Sequence, residues 1–191
     1  PLPGKETGAG NSYIELQVTS NFSFLRGAAH PEELVEQAAA LGYPAIAITD
    51  RNTLAGIVRA HTTAKKMSIR LIVGCRLDLL DGLSLLAFPA NKNAYAQLSN
   101  LLTSGNRRAP KGECYLYKAD VFAVAGNIHF IVLPPGHLNE YFELPLSLAA
   151  ALKEYRQCFG EHLSIAITRQ YQGNDHKYLF RLSQLSQELD V

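Results

Sequence analysis

Residues 45–50 read AIAITD, and this stretch decides the fold class of the chain. Residues 45–49 form an uncharged run, which is typical of a strand buried on both faces of a parallel sheet. Before it, residues 31–41 repeat apolar side chains at helical spacing after Pro31, and residues 54–67 after it are also interpreted as a helix. A buried strand between two helices favours an α/β protein.

The same alternation extends along the chain on both sides of this stretch. Strands are predicted at residues 13–19, 70–74, 83–88, 128–133 and 163–168, and further helices at residues 92–104, 119–125, 146–159 and 174–189. A strand followed by a helix, repeated about five times, predicts parallel strands joined by right-handed crossovers. Either an open doubly wound sheet or a barrel satisfies this order.

The composition argues against several classes of function. The formal net charge is +1 and charged residues make up 18% of the chain, so there is no electrostatic case for a nucleic-acid or membrane partner. No apolar run approaches the roughly 18–20 residues of a membrane span. The three cysteines lie far apart without metal-ligand spacing, which favours reduced thiols and a cytoplasmic location. Residues 1–12 lack the apolar segment of a signal peptide and are interpreted as a flexible tail.

A catalytic site in such an architecture lies at the carboxyl ends of the strands. Those ends carry Gln17 and Thr19, then Asp50 and Arg51, then Arg76. Metal-dependent hydrolysis needs several histidines and carboxylates that converge there, and of these five residues Asp50 alone has such a side chain. The arginines oppose metal binding, because fixed positive charges raise the cost of binding a divalent cation.

Three runs of sequence resemble the motifs of PHP domains. LQVTSNFSFLRGA (residues 16–28) is similar to the first motif, AIAITDRNTLAG (residues 45–56) to the second, and IRLIVGCRL (residues 69–77) to the third. The resemblance implies a distorted barrel of the (βα)7 type, of which this chain would hold about five βα units. Residues 13–191 would then form a partial PHP domain that lacks the C-terminal strands.

Other runs resemble one branch of PHP proteins, the N-terminal regions of bacterial C-family DNA polymerases of the error-prone, SOS-associated type. The runs are NFSFLRGA, HPEELVEQAAALGY, LIVGCRLDL, RRAPKGEC and ITRQYQGND. The resemblance implies a parent chain that copies damaged DNA, with divalent metals held only in its separate polymerase domain. The implied partners are the remainder of the same chain, a sliding clamp and translesion accessory proteins, and DNA through the parent polymerase.

The same resemblance places substitutions at the metal-ligand positions of the family. The two histidines and the aspartate of the first motif, the histidine of the second and the glutamate of the third correspond, in that order, to Gln17, Thr19, Arg26, Arg51 and Arg76. The aspartate of the second motif remains as Asp50. We therefore expect no cofactor in this chain, and a structural role in which the guanidinium group of Arg51, Arg76 or Arg26 pairs with Asp50.

Two other functions stay open as alternatives. A rearranged site with Asp50 and His137 would be a residual metal-dependent phosphoesterase or 3'-5' exonuclease, since His137 follows the carboxyl end of a predicted strand. Arg107, Arg108 and Lys111 lie in a polar stretch that is interpreted as a loop, and loops of this composition contact DNA phosphates. This second alternative would make the chain a DNA-binding module.

Overall fold

A computed structural model describes residues 13–169, 171 and 173–191. The chain divides into two compact units, of which the first ends at Gly74 and the second begins at Cys75. The flexible tail expected at residues 1–12 lies outside the described residues. Among the described residues, no helix combines the length and the apolar character needed to cross a membrane.

The first unit contains two helices and two strands. In chain order they are α1 (Pro31–Ala40), β1 (Ala45–Ile48), α2 (Ile57–Met67) and β2 (Arg70–Val73). Strands β1 and β2 pair in parallel, with Ala45 opposite Arg70 at one end and Ile48 opposite Val73 at the other. The sequence predicted all four elements, with small differences at their ends.

Helix α1 shows why the local sequence predicts its own ends well. Pro31 occupies the first helical position, where a backbone N–H has no partner within the helix. The backbone N–H of His30 donates to Glu33 Oε2 at 2.7 Å, which caps the first turn. Gly42 has a φ of 76°, a left-handed conformation that favours glycine and ends the helix.

The core of the first unit lies between β1 and the two helices. Every residue of β1 is buried, as the uncharged run predicted. The buried apolar cluster of this unit consists of Val35, Ala38, Ile46, Ile48, Ile57, Ala60, Ala64 and Ile69. The strand predicted at residues 13–19 was wrong in extent, because an isolated parallel bridge between Glu15 and Ile46 is the β pairing recorded there. Two backbone bonds hold this segment beside β1, from Ala47 N–H to Glu15 O at 2.9 Å and from Thr49 N–H to Val18 O at 2.8 Å.

The second unit is built on a four-stranded sheet in the order β3-β4-β5-β6. Its elements are β3 (Cys75–Leu77), β4 (Leu85–Pro89), α3 (Lys92–Arg108), α4 (Lys118–Phe122), β5 (Ile128–Val132), α5 (Leu146–Phe159), a 3₁₀ turn (Gly160–His162), β6 (Leu163–Ile165) and α6 (Asp175–Leu189). Strand β3 was not predicted separately from the sequence. Helix α5 begins and ends at the predicted residues.

Strand direction in this sheet departs from the prediction. The α/β class is confirmed, but the expectation of parallel neighbours was wrong for β3 with β4 and for β4 with β5, which pair antiparallel. Only seven residues, 78–84, connect β3 to β4, whereas a parallel crossover needs about a dozen or more. Two helices, both predicted from the sequence, separate β4 from β5, so the rule for a strand–helix–strand crossover did not apply there. Strands β5 and β6 are parallel, as predicted.

Aromatic rings fill the core of the second unit. Phe130 of β5 stacks on Phe159 of α5 with ring centroids 4.3 Å apart. Phe122 of α4 meets Phe159 edge-on at 5.5 Å and Tyr155 at 5.8 Å. The hydroxyl of Tyr155 accepts a hydrogen bond from Leu83 N–H at 3.0 Å, which satisfies the polar end of a buried ring.

Candidate functional site

Asp50 lies two residues after the end of β1, and 1% of its surface is exposed. Its Oδ1 accepts hydrogen bonds from Ser20 N–H at 2.8 Å and from the Ser23 hydroxyl at 2.7 Å. Its Oδ2 accepts one from the Ser20 hydroxyl at 2.7 Å. Hydrogen bonds to a carboxylate are charge-assisted and stronger than bonds between neutral groups. Both oxygens of this carboxylate therefore bind donors of the chain's own backbone and side chains.

The two serines belong to a tight loop, residues 20–27, that folds around Asp50. The Ser23 hydroxyl also accepts from Arg51 N–H at 2.9 Å, so one side chain connects the loop to both Asp50 and its neighbour. A Cβ atom on Gly27 would lie 2.3 Å from the carbonyl oxygen of Ser20, which leaves no room for a side chain there. This loop is thus closed by hydrogen bonds to a carboxylate and by one close backbone approach. We call residues 20–27 with Asp50 the Asp50 loop.

Gly56 packs close to the carboxylate of Asp50. A Cβ atom there would lie 3.1 Å from Asp50 Oδ2 and 2.9 Å from Cγ of Pro31. Gly56 and the carboxylate are therefore packed to contact distance, and the carboxylate sits in a filled corner rather than in an open cleft.

The other positions of the first unit that the resemblance marks as metal-ligand positions differ in exposure. Gln17 and Arg26 are exposed, whereas Thr19 and Arg51 are half-buried. Arg26 follows Leu25, which has a positive φ of 59° at the tip of the Asp50 loop.

Arg76 belongs to the second unit and is engaged there. Its Nε pairs with Asp78 Oδ1 at 2.8 Å, and its terminal amine donates to Ser84 Oγ at 3.3 Å. The Ser84 hydroxyl donates to the same oxygen of Asp78 at 2.6 Å. The pairing expected between Asp50 and an arginine stays a prediction. The partners that the structure brings to Asp50, Ser20 and Ser23, were not singled out from the sequence as its partners, because nothing local to them indicates a contact with a carboxylate about 30 residues away.

The donor set at this corner does not fit a catalytic metal ion of the kind that the fold family implies. Transition metals in hydrolytic sites bind imidazole and carboxylate groups, and Asp50 is surrounded by a backbone N–H and two hydroxyls that donate to it. Across the described ranges, no group of three or more His, Cys, Asp or Glu side chains is placed to hold a metal. His137, the candidate for a rearranged site, is exposed in a loop of the second unit after β5.

The basic residues proposed for DNA contact lie in a different setting from the one expected. Helix α3 continues to Arg108, so the prediction that Arg107 and Arg108 lie in a loop was wrong. Gly105 lies inside this helix. A Cβ atom there would lie 2.7 Å from both Cys114 Sγ and a methyl group of Leu116, so glycine is needed for close packing.

Arg108 is also committed to a partner of its own. Its two terminal nitrogens donate to the two carboxylate oxygens of Asp120 at 2.7 and 2.9 Å. The hydrogen bonds from Arg108 lower the pKa of Asp120. Arg107 and Lys111 are exposed, which leaves two of the three cations for the predicted DNA contact. Burial raises the pKa of the nearby Cys114 thiol, which opposes a reactive thiolate at that position.

The described residues form an α/β fold, as the resemblance to PHP domains implies. The family model described as the PHP domain matches residues 15–170. The chain therefore belongs to the PHP domain family.

Curated relatives are named as polymerases. The chain is 42% identical to error-prone DNA polymerase 2 of Agrobacterium fabrum over 94% of its own length, and 46% identical to the error-prone DNA polymerase of Caulobacter vibrioides over 91%. It is 41% identical to the error-prone DNA polymerase of Brucella abortus over 94%. The chain spans 16% of the length of the first two relatives and 17% of the third.

Two solved structures share the fold. One, from Bifidobacterium adolescentis, is described as a candidate metal-dependent phosphoesterase, with a TM-score of 0.66 and 16% identity, and covers 96% of this chain and 86% of that one. The other is an amidohydrolase from Chromobacterium violaceum with bound sulfate and no metal, with a TM-score of 0.67 and 14% identity over 93% of this chain and 84% of that one. They confirm the predicted α/β fold of the PHP type.

Proposed function

We propose that this chain is the N-terminal PHP domain of an error-prone DNA polymerase that acts in damage-tolerant DNA synthesis in the cytoplasm, and that the domain is a scaffold without a metal. Identity above 40% to three error-prone polymerases, over nearly all of this chain, supports the first part. In this proposal the nucleotidyl transfer is carried out elsewhere in the parent chain, by carboxylates that hold divalent metals.

One observation carries the scaffold proposal. Asp50, the one family ligand that the resemblance leaves unchanged, accepts three hydrogen bonds from Ser20 and Ser23 and holds the Asp50 loop closed. A buried carboxylate satisfied by donors of its own chain stabilises the fold, since its removal would leave those donors unpaired. Substitution of five other ligand positions supports the same proposal.

The partners follow from the parent polymerase. The domain packs against the remainder of the same chain, and DNA reaches it through the polymerase as a whole. A sliding clamp and translesion accessory proteins complete the set in this proposal. Binding of the full-length parent to an immobilised clamp, compared with binding of residues 1–191, locates the clamp contact outside this domain if only the parent binds.

Metal titration of the purified chain tests the scaffold proposal. We expect no heat of binding with Zn²⁺ or Mn²⁺, and no hydrolysis of p-nitrophenyl phosphate or single-stranded DNA above that of the Asp50→Asn variant, which keeps the side-chain shape. An anomalous-scattering peak from either metal beside Asp50 in crystals of the chain would contradict the proposal, as would turnover that the substitution abolishes.

The full-length parent separates a scaffold from a hidden nuclease. We expect Asp50→Asn to lower the thermal midpoint of the parent polymerase, while primer extension per folded molecule stays unchanged. Loss of a 3'-5' exonuclease activity at an unchanged thermal midpoint would show instead that Asp50 acts in chemistry.

A further inference from the structure

A cleft on the second unit has a composition that the proposed function does not explain. It is lined by Tyr141, Phe142, Lys177, Phe180 and Arg181 and has a volume of about 360 Å³. Three aromatic rings and two cationic side chains therefore meet at one surface. We call these five residues the aromatic cleft.

One wall of the cleft is a loop with a defined shape. Asn139 Oδ1 accepts from Tyr141 N–H and from Glu143 N–H, each at 2.9 Å. The carbonyl oxygen of Asn139 also accepts from Phe142 N–H at 3.0 Å, and the Asn139 N–H donates to the carbonyl oxygen of Glu143 at 3.0 Å. A side chain that bonds the backbone ahead of it fixes a turn in this way. The rings of Tyr141 and Phe142 are thus held out from an ordered turn.

The other wall is the outer face of α6. Tyr178 and Leu182 turn into the unit, and the Tyr178 hydroxyl donates to Pro135 O at 3.0 Å. Phe180 and Arg181 lie three and four residues after Lys177, so both are neighbours of Lys177 on the helix surface, and all three side chains are exposed. Tyr141 is 72% exposed and Phe180 60% exposed, so both rings are accessible.

The two cations of the cleft are available to a ligand. Lys177 Nζ lies 3.5 Å from the centroid of the Phe142 ring, a cation–π contact that leaves its N–H groups open to an acceptor. Within the part of the chain that the structure describes, neither Lys177 nor Arg181 forms an ion pair, whereas Arg76, Arg108 and Lys118 all do.

The carboxylates of Glu143 and Glu188 lie in a neighbouring cleft and are not among the residues that line the aromatic cleft. That neighbouring cleft shares Arg181. Glu143 Oε2 accepts a hydrogen bond from Asn139 Nδ2 at 3.4 Å. The residues of the aromatic cleft carry two positive charges and no negative one.

We propose that the aromatic cleft binds single-stranded nucleic acid. Bases stack on the exposed faces of Tyr141 and Phe180, and neighbouring phosphates pair with Lys177 and Arg181. Exposed rings beside unpaired cations fit this ligand better than they fit a duplex, whose bases are already stacked on each other. The inference concerns residues 141–181 alone and holds whether or not the parent chain is a polymerase.

Fluorescence anisotropy with labelled oligo(dT) of about 12 nucleotides tests the site at low salt. Phe180→Ala and Tyr141→Ala are each expected to weaken binding about tenfold, since each removes one stacked base. Lys177→Ala is expected to reduce the slope of log affinity against log salt concentration by about one, because it removes one contact with a phosphate. Tyr95→Ala and Lys92→Ala remove a ring and a cation from α3 and serve as matched controls, expected to bind within about twofold of the wild type.

Two further measurements make the outcome decisive. Photo-crosslinking with an iododeoxyuridine oligonucleotide should attach the probe to Tyr141 or Phe180, and oligo(rU) compared with oligo(dT) reports which sugar the site accepts. Thermal melts check that the variants stay folded, as their exposure predicts. Equal affinity for duplex and single strand, wild-type affinity in Phe180→Ala, or no binding by the wild type below about 100 µM would each overturn the proposal, the last because even non-specific binders exceed that affinity.

Discussion

The two units bury different chemistry. All five buried polar or charged residues recorded among the described parts of the chain lie in the first unit, and they are Ser20, Ser23, Thr49, Asp50 and Thr63. The second unit is held by stacked rings, with Phe130 and Phe159 at its centre. A polar group in a core stabilises a protein only when it is hydrogen-bonded. The first unit therefore depends on a network at the end of β1, and the second depends on packing.

The largest effect should come from the packed unit. Phe159 is 4% exposed, and Phe159→Ala removes a ring that touches Phe130, Phe122 and Tyr155. We expect a loss of roughly 3–5 kcal/mol in the free energy of unfolding of the second unit. Urea denaturation followed by hydrogen exchange at amides of β5 measures it.

Phe180→Ala is the control for that loss. It removes the same ring from an exposed position of α6 and should cost less than about 0.5 kcal/mol. Equal losses in the two variants would mean that the stacked rings do not stabilise this unit.

The next effect should come from the hydrogen-bonded unit. Asp50→Ala leaves Ser20 N–H and the hydroxyls of Ser20 and Ser23 without this acceptor. Unpaired buried donors are costly, so we expect a loss of about 2–4 kcal/mol and faster exchange of the Ser20 amide. Asp50→Asn should lose less, because its carbonyl oxygen can still accept from Ser20 N–H and the Ser23 hydroxyl. If Asp50→Ala lowers the free energy of unfolding by less than about 0.5 kcal/mol, Asp50 does not stabilise the first unit.

A double-mutant cycle sharpens the contrast between network and packing. Ser23→Ala removes one donor to Asp50 and one acceptor for Arg51 N–H, and we expect it to cost about 1–2 kcal/mol. The loss in the double variant with Asp50→Asn should differ from the sum of the two single losses by about 0.5–3 kcal/mol, as is found for coupled groups. Ser104→Ala, at an exposed position of α3, provides a serine substitution without effect. Additive losses would place Ser23 and Asp50 in separate interactions.

The smallest effect concerns a surface ion pair of the second unit. Arg108 lowers the pKa of Asp120, so the pair stabilises the folded chain above the ordinary pKa of an aspartate, and this contribution is lost as the pH falls through the lowered value. In Arg108→Ala the pKa of Asp120 should rise toward its ordinary value. Carbonyl NMR of Asp120 across an acid titration measures the change, and an unchanged pKa in the variant would contradict the assignment.

Local patterns predicted most of the elements. The ends of α1 and α5 and the burial of β1 follow from capping residues, helical spacing and one uncharged run, all of which act within a few residues. Helix α3 was predicted too short because Gly105 and the charged residues after it resemble a helix end. The glycine is instead required by packing against Cys114 and Leu116, which only the folded chain brings there.

The amino-acid sequence was enough to predict the α/β class and the resemblance to PHP domains, because order, spacing and residue type are properties of the chain itself. The substitution of the family's metal-ligand positions stays a prediction from that resemblance. Only the tertiary structure decided that Ser20 and Ser23 bind Asp50 and that β4 and β5 pair antiparallel. It also decided that Tyr141 and Phe180 share one cleft. Each of these depends on contacts between segments far apart in sequence, and no local pattern encodes which distant partner a side chain will meet.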